Sequence, residues 1–216
     1  MIGPILDRLL GAGPPLEFTD WALEPAALEL VLARIGADCD RVVECGSGLS
    51  TIVIARLLAG RGHGRVEALE HEPAWASEVR RRIEDEGVAD RARLVEAPLG
   101  AHPLAEPGCH WYDPDAVASL SASIDLLLVD GPPAGEPGIE RARYPALPAL
   151  ASRLRRGATV ILDDAGRPGE RWVLDRWQEQ TGVRFERRST DRVAIGCMLR
   201  PSARGGSGHP DTERKE

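Results

Sequence analysis

Val42-Val43-Glu44-Cys45-Gly46-Ser47-Gly48-Leu49-Ser50-Thr51 decides the fold. A short apolar run ends at a carboxylate, a glycine turn follows, and an apolar stretch of helical character continues from Ser50 to Ala59. Strand, glycine turn and helix in that order make the first unit of an open α/β sheet that holds a nucleotide at its strand ends. Glu44 narrows the kind of nucleotide. The dinucleotide fingerprint brings two phosphates onto backbone N–H groups and a helix N-terminus, and a fixed negative charge at the strand tip opposes that ligand.

A positively charged nucleoside suits the turn better. S-adenosylmethionine has an adenosine, no phosphate and an ammonium for Glu44 to hold. Its carboxylate would meet the amides around Gly46, Ser47, Gly48 and Ser50, with the Ser50 hydroxyl. The turn therefore reads as a methyl-donor site.

On either side of it, short apolar runs alternate with helical patterns, the sequence form of βαβ units around a parallel sheet. Strands are expected at 41–45, 65–71, 92–97, 124–130, 158–163, 183–189 and 192–199. The first five are mostly continuous apolar runs, as strands covered on both faces should be. The last two, joined by Thr190-Asp191, read as an antiparallel hairpin closing one edge. Helices are expected at 25–35, 50–59, 73–86, 144–155 and 168–180. Pro73 and Pro168 fall in first-turn positions, and Glu78 and Arg82 stand one turn apart on one face. The chain divides into an N-terminal helical segment over 1–39 packing on the core, an α/β domain over 40–199, and a tail over 200–216 whose composition predicts disorder. Residues 99–121, with His102, Cys109, His110, Trp111 and Tyr112, form a long insertion of a length that suits a lid.

Glu70 ends the second strand, where a carboxylate can accept hydrogen bonds from both hydroxyls of a ribose, and His71 follows at the cofactor's edge. The third strand ends in Glu96-Ala97-Pro98, whose Ala97 and Pro98 would frame an adenine. The fourth ends in Val129-Asp130-Gly131-Pro132-Pro133. Ligands of open α/β sheets sit outside the carboxyl ends of the strands where strand order reverses, so Glu44, Glu70, Ala97 and Asp130 should converge.

Glu44-Cys-Gly-Ser-Gly, Glu70-His-Glu-Pro, Ala97-Pro98, Val129-Asp-Gly-Pro-Pro and Leu162-Asp-Asp-Ala resemble the ordered motifs of class I S-adenosylmethionine-dependent methyltransferases, over most of the chain. The chain is most similar to a broad group of small bacterial members with Asp-Gly-Pro-Pro after strand four and an Arg-Tyr-Pro-Ala-Leu-Pro helix start, here Arg143 to Pro148. The resemblance implies a Rossmann-like three-layer α/β sandwich. Its seven-stranded, mostly parallel sheet would have the order 3-2-1-4-5-7-6 and an antiparallel last strand. It also implies S-adenosylmethionine as cofactor.

Methyl transfer from a sulfonium is an in-line displacement, so alignment and exclusion of water carry much of the rate. A hydroxyl acceptor must also lose its proton, and Asp130 and His110 are the candidate bases. The only lysine is Lys215, in the tail, so the lysine base of catechol-type enzymes has no counterpart and Pro133 stands in its neighbourhood. Resemblance to the divalent-metal O-methyltransferases makes Asp130, Asp163 and Asp164 the ligands of an ion, and hard oxygen donors of this kind suit Mg2+. The alternative is that Asp163 and Asp164 cap a turn or helix start while Asp130 orients the donor. The expected acceptor is a hydroxyl of a small molecule or sugar. Aminopropyl transfer from a decarboxylated donor, and a donor-binding scaffold without turnover, stay open as alternatives. The acceptor cavity discriminates the scaffold.

Other residues keep two readings each. Trp21 suits packing or closure over the donor, and Arg141 and Arg143 suit an anionic acceptor or an ordinary surface. Trp172 and Trp177 suit the core or an interface, which leaves a homodimer open. With 43% hydrophobic residues and a net charge of -7, the 216-residue chain carries no basic stripe for nucleic acid. No run approaches bilayer length, so no membrane association is expected. Cys39, Cys45, Cys109 and Cys197 show no paired spacing, so a reducing, cytoplasmic location is expected.

Overall fold

The structure, a computed structural model, describes residues 2–188 and 192–198. The Thr190-Asp191 connection and the tail expected to be disordered lie outside the described residues. In chain order the elements begin with α1 (Pro4–Leu10), α2 (Pro25–Arg34), β1 (Arg41–Cys45), α3 (Leu49–Arg61), β2 (Arg65–Glu70), α4 (Pro73–Asp85) and β3 (Ala92–Glu96). Two-residue strands β4 (Leu99–Gly100) and β5 (Trp111–Tyr112) follow, then α5 (Pro114–Ala118), β6 (Ile124–Val129) and α6 (Ala146–Leu150). The chain continues through β7 (Leu154–Leu162), α7 (Pro168–Thr181), β8 (Phe185–Arg188) and β9 (Val193–Cys197).

Seven strands form one sheet in the order β3-β2-β1-β6-β7-β9-β8. Counting that sheet's members alone, the order is the expected 3-2-1-4-5-7-6. All pairings are parallel up to β7, and β9 runs antiparallel to both β7 and β8. The strands bury both faces, which makes the three layers. Val42, Val66, Leu126, Leu128 and Ile161 join α1 to α4 on one side. Val43, Cys45, Leu127, Val129 and Leu162 meet Trp111, Tyr112, Leu147, Val173 and Trp177 on the other. Strand order reverses between β1 and β6, which puts the ligand crevice there.

Two expectations need correction. The insertion is not a bare lid, because β4 and β5 pair antiparallel into a separate ribbon, Leu99 opposite Tyr112, and both ring residues of β5 are buried. Two-residue strands are too short for a period of two to register in sequence. The helix expected over 144–155 is confined to α6 and a 3-10 turn, Ala151–Arg153, and β7 starts four residues early. Its register slips opposite β6, where Ile124 pairs Leu154 but Leu126 pairs Thr159. Gly157, at φ 83°, absorbs the extra residues of this bulge.

The N-terminal segment is tied to the domain by charge as well as by apolar contact. Glu29 of α2 accepts from the Ile5 and Leu6 amides (3.1 and 2.7 Å) at the open N-terminus of α1. Buried Arg56 of α3 donates to Leu9 O (2.8 Å), Pro14 O (2.6 Å) and both Glu86 oxygens (2.6 and 2.8 Å). Among the described residues, no helix is long and apolar enough to cross a membrane.

Candidate active site

Backbone hydrogen bonds continue past the strand ends and fasten the tips together. Gly46 N–H donates to Leu69 O (3.0 Å), Ala97 N–H to Glu70 O (2.7 Å) and Asp163 N–H to Val129 O (3.0 Å). Asp130 and Gly131 both donate to Cys45 O (3.1 and 2.6 Å). Gly46, at φ 91°, lies against Gly131: a Cβ on Gly46 would come 3.2 Å from Gly131 N, and one on Gly131 would sit 2.5 Å from the Tyr112 hydroxyl. A larger residue at either position would push β1 and β6 apart. Glu44, Glu70, Ala97 and Asp130 thus meet at one sheet edge.

Glu44 lies beneath the glycine turn, 1% exposed, with Oε2 unpartnered. Burial pushes its carboxyl up to about 7, against hydrogen bonds from the Thr51 and Ser50 side chains. A cation nearby would favour its ionised form. Glu70 is saturated. Its Oε2 accepts from the Ser47 amide (3.1 Å) and hydroxyl (2.7 Å), and its Oε1 from the His71 and Glu72 amides (2.8 and 2.9 Å), with His71 Nδ1 at 3.1 Å. Burial raises its pKa, but these bonds from His71, Glu72 and Ser47 outweigh burial and hold it below the ordinary value. A carboxylate has about four lone-pair sites, so a ribose diol could bond Glu70 only by taking the place of a present donor such as the Ser47 hydroxyl.

The turn amides do not present themselves as the sequence suggested. Gly46 N–H is taken by Leu69 O, Ser47 N–H by Glu70 and Gly48 N–H by Thr51 Oγ1 (3.1 Å), while the buried Ser50 side chain lies near enough to Glu44 to oppose the rise in its pKa. These groups shape the loop. The donors left for a ligand carboxylate belong to the first turn of α3 from Leu49 onward, where helix geometry supplies no internal acceptor. Trp75 was not singled out from sequence, yet its indole N–H donates to Ser47 O (2.8 Å) and pins the turn from outside. Ala97 is buried, and Pro98 is exposed at the end of β3, where it can edge a base.

Beyond Asp130 the acids converge. One carboxylate oxygen from each of Asp130, Asp163 and Asp164 lies within 4.8 Å of the others, a spacing that a metal ion could use. Asp130 has a quarter of its side chain exposed, while Asp163 and Asp164 are buried. Burial raises the pKa of both Asp130 and Asp163. Arg143 pulls Asp130 back, and Asp130 and Asp164 push Asp163 further up.

A cation already sits among them. Arg143, 4% exposed, donates to Pro132 O (3.1 Å), Asp163 O (3.3 Å) and Asp164 Oδ2 (3.2 Å), and stands 3.6 Å from Asp130 and 3.7 Å from Glu170. Arg167 (2.8 Å) and Arg192 (3.4 Å) complete the ring around Asp164. Four carboxylates face three guanidiniums. A divalent charge and a guanidinium about 5 Å apart repel by roughly 7 kcal/mol at an effective dielectric of 20. With Asp164 already paired and the Arg143 guanidinium 3.6 Å from Asp130, the residues as they stand do not fit a divalent ion beside that fixed charge, against the expected Mg2+.

Other expectations are also displaced. His110 is exposed and makes no hydrogen bond or ion pair among the described residues, because the ribbon turns Trp111 and Tyr112 inward and leaves their neighbour outside. It is not among the groups at the strand tips. Arg143 is no surface arginine, whereas Arg141 stacks on Trp172 at 4.3 Å. Trp177 is core, donating to Tyr144 O (2.8 Å), and Trp21 is 85% exposed.

A glycine turn over a buried acid, a second acid at the neighbouring tip and a carboxylate at the reversal point define a class I methyltransferase site. A family profile described as a methyltransferase domain matches residues 43–165. Catechol O-methyltransferase of Mycobacterium tuberculosis is 30% identical over 172 residues, 77% of this chain and 67% of that protein. Among solved structures, an O-methyltransferase from Bacillus cereus in complex with S-adenosylhomocysteine is 17% identical with a TM-score of 0.60, covering 91% of this chain and 89% of the other. The O-methyltransferase TomG from Streptomyces achromogenes, in complex with S-adenosylmethionine, is 19% identical with a TM-score of 0.57, covering 92% and 91%. The chain belongs to the S-adenosylmethionine-dependent methyltransferase family.

Proposed function

We propose that the chain moves the sulfonium methyl of S-adenosylmethionine to a hydroxyl of a small molecule or sugar. The observation that carries this reading is Asp130, a partly exposed carboxylate at the tip of β6 beside the donor turn, with Asp163 next to it. As the acceptor oxygen bonds to the methyl carbon, the carbon–sulfur bond breaks. Sulfur keeps the electron pair and S-adenosylhomocysteine leaves. The hydroxyl proton passes to the Asp130 carboxylate, whose raised pKa brings it nearer the operating pH of a general base. Glu70 receives the ribose once Ser47 gives way, with His71 at its edge. Ala97 and Pro98 border the adenine, and Glu44 balances the donor's positive charge from beneath the turn. The O-methyltransferase names of the relatives agree with oxygen as acceptor. The four free cysteines suit a reducing compartment and a cytoplasmic location.

Titration calorimetry with S-adenosylmethionine tests the donor half: Glu70→Ala should weaken binding about tenfold to a hundredfold, and unchanged affinity would refute the ribose role. Methyl release across phenols, sugars and amines tests the acceptor half. Turnover with amines alone would remove oxygen from the reading.

A further inference from the structure

The acid cluster at the tips of β6 and β7 contains more than catalysis needs. Asp130 serves the proton. Asp163, Asp164 and Glu170 are buried around it, and burying carboxylates without compensation is costly. Arg167 and Arg192 meet Asp164 from the rim, but one buried side chain reaches several of the acids at once. Arg143 comes from the turn before α6, and its guanidinium reaches the turn after β6 through Pro132 O and Asp130, the turn after β7 through Asp163 O and Asp164, and α7 through Glu170. A planar, permanently charged fork suits such a bridge, which asks for several acceptors in fixed directions.

Asp164 is held in the left-handed region, at φ 56°, and its carboxylate is shared among Arg143, Arg167 and Arg192. An incoming ion would have to win Asp164 from three arginines and sit beside a buried guanidinium that cannot lose its proton. Among the described residues, Asp163 Oδ1 and both Glu170 carboxylate oxygens accept no hydrogen bond, so Arg143 meets the cluster's remaining charge through ion pairing alone.

We propose that Arg143 is the built-in cation of this cluster. It is a positioning residue that occupies the charge-balancing place between the tips of β6 and β7, excludes divalent ions from Asp130, Asp163 and Asp164, and makes methyl transfer independent of them. Exclusion is a matter of binding and stands apart from the enzymatic reading. Only independence of turnover rests on the methyltransferase assignment.

Mn2+ is the probe, followed by calorimetry and by its paramagnetic resonance signal. The wild-type chain should show no saturable Mn2+ site tighter than about 1 mM. Arg143→Gln should gain one by at least about tenfold, Arg143→Lys should not, and the gained site should vanish when Asp163→Asn is added to Arg143→Gln. Arg167→Gln, at a half-exposed position, should also leave the wild-type behaviour intact. A wild-type Mn2+ site that Asp163→Asn removes would overturn the proposal, as would a folded Arg143→Gln that gains no site or an Arg167→Gln that opens the site by itself. If Arg143→Gln does not fold by circular dichroism, the wild-type protein decides. An Asp163-dependent site or loss of turnover in chelator overturns the proposal, while no site and unchanged turnover uphold it. Calorimetry with S-adenosylmethionine on the same protein separates the two readings, since absence of donor binding would defeat the enzymatic assignment and leave the Mn2+ result standing.

Discussion

Asp164 is where backbone strain and charge meet. A non-glycine residue at φ 56° costs roughly 1 kcal/mol unless its side chain can support the conformation, as Asp and Asn side chains do. Asp164→Asn keeps that tolerance but withdraws the carboxylate from buried Arg143, and breaking a buried pair by removing one partner costs about 3–5 kcal/mol. Asp164→Ala adds the strain to the same loss. Urea denaturation should therefore rank wild type above Asp164→Asn, and Asp164→Asn above Asp164→Ala by about 1 kcal/mol. Equal stability of the two variants would contradict the strain assignment. At this scale the sequence was partly readable. Glu44, Glu70 and Asp130 declare themselves because each closes an apolar run. Arg143 does not, because an arginine in a Pro- and Gly-rich stretch looks like surface until contacts 11 to 27 positions away, at Pro132, Asp164 and Glu170, enclose it. Tyr112 is similarly hidden, since its place against Gly131 depends on a two-residue ribbon.

Elements were more legible than their junctions. The helices opened by Pro25, Pro73 and Pro168 start where a first-turn proline puts them, and Glu78 meets Arg82 at 2.7 Å one turn on. The stretch from 144 to 155 failed because it holds two prolines and no helical apolar period long enough to outlast them, so α6 stops after five residues and β7 takes over. Attachment of α1 was the least visible feature, since it is made by charges on other elements. Arg56 and Glu86 are both almost fully buried, and Arg56 donates to three carbonyls of the N-terminal segment besides, those of Leu9, Leu10 and Pro14. Arg56→Ala should lower the unfolding free energy by about 3–5 kcal/mol and open the segment before α2 to limited proteolysis. Retained protection there, measured by the cleavage pattern at native temperature, would show that apolar contact through Leu6 and Leu9 is sufficient.

The whole molecule gathers most of its buried acids at one edge of the sheet, and this sets how its stability answers to pH. Burial pushes Glu44 and Glu170 up to about 7 and raises Asp130 and Asp163 as well. A carboxyl raised by folding binds its proton more tightly folded than unfolded. Its stabilisation is therefore complete below the ordinary value near 4.5 and disappears as pH climbs through about 7. For Glu44 the difference is up to about 3 kcal/mol. Glu67 and Glu70 act in the opposite sense. Burial raises each, hydrogen bonds to Ser121 and Arg93 or to His71, Glu72 and Ser47 outweigh it, and their contribution is present above the ordinary value and lost below it. The two sets together place maximal stability near pH 5, with a decline toward pH 8. Thermal melts at constant ionic strength across that range should follow this shape, and Glu44→Gln should flatten the decline by raising the midpoint at pH 8 while leaving it nearly unchanged at pH 5. A wild-type midpoint that rises steadily from pH 5.5 to 8 would mean that these acids are ionised in the fold at no cost. The buried cluster would then be compensated more completely than its geometry allows.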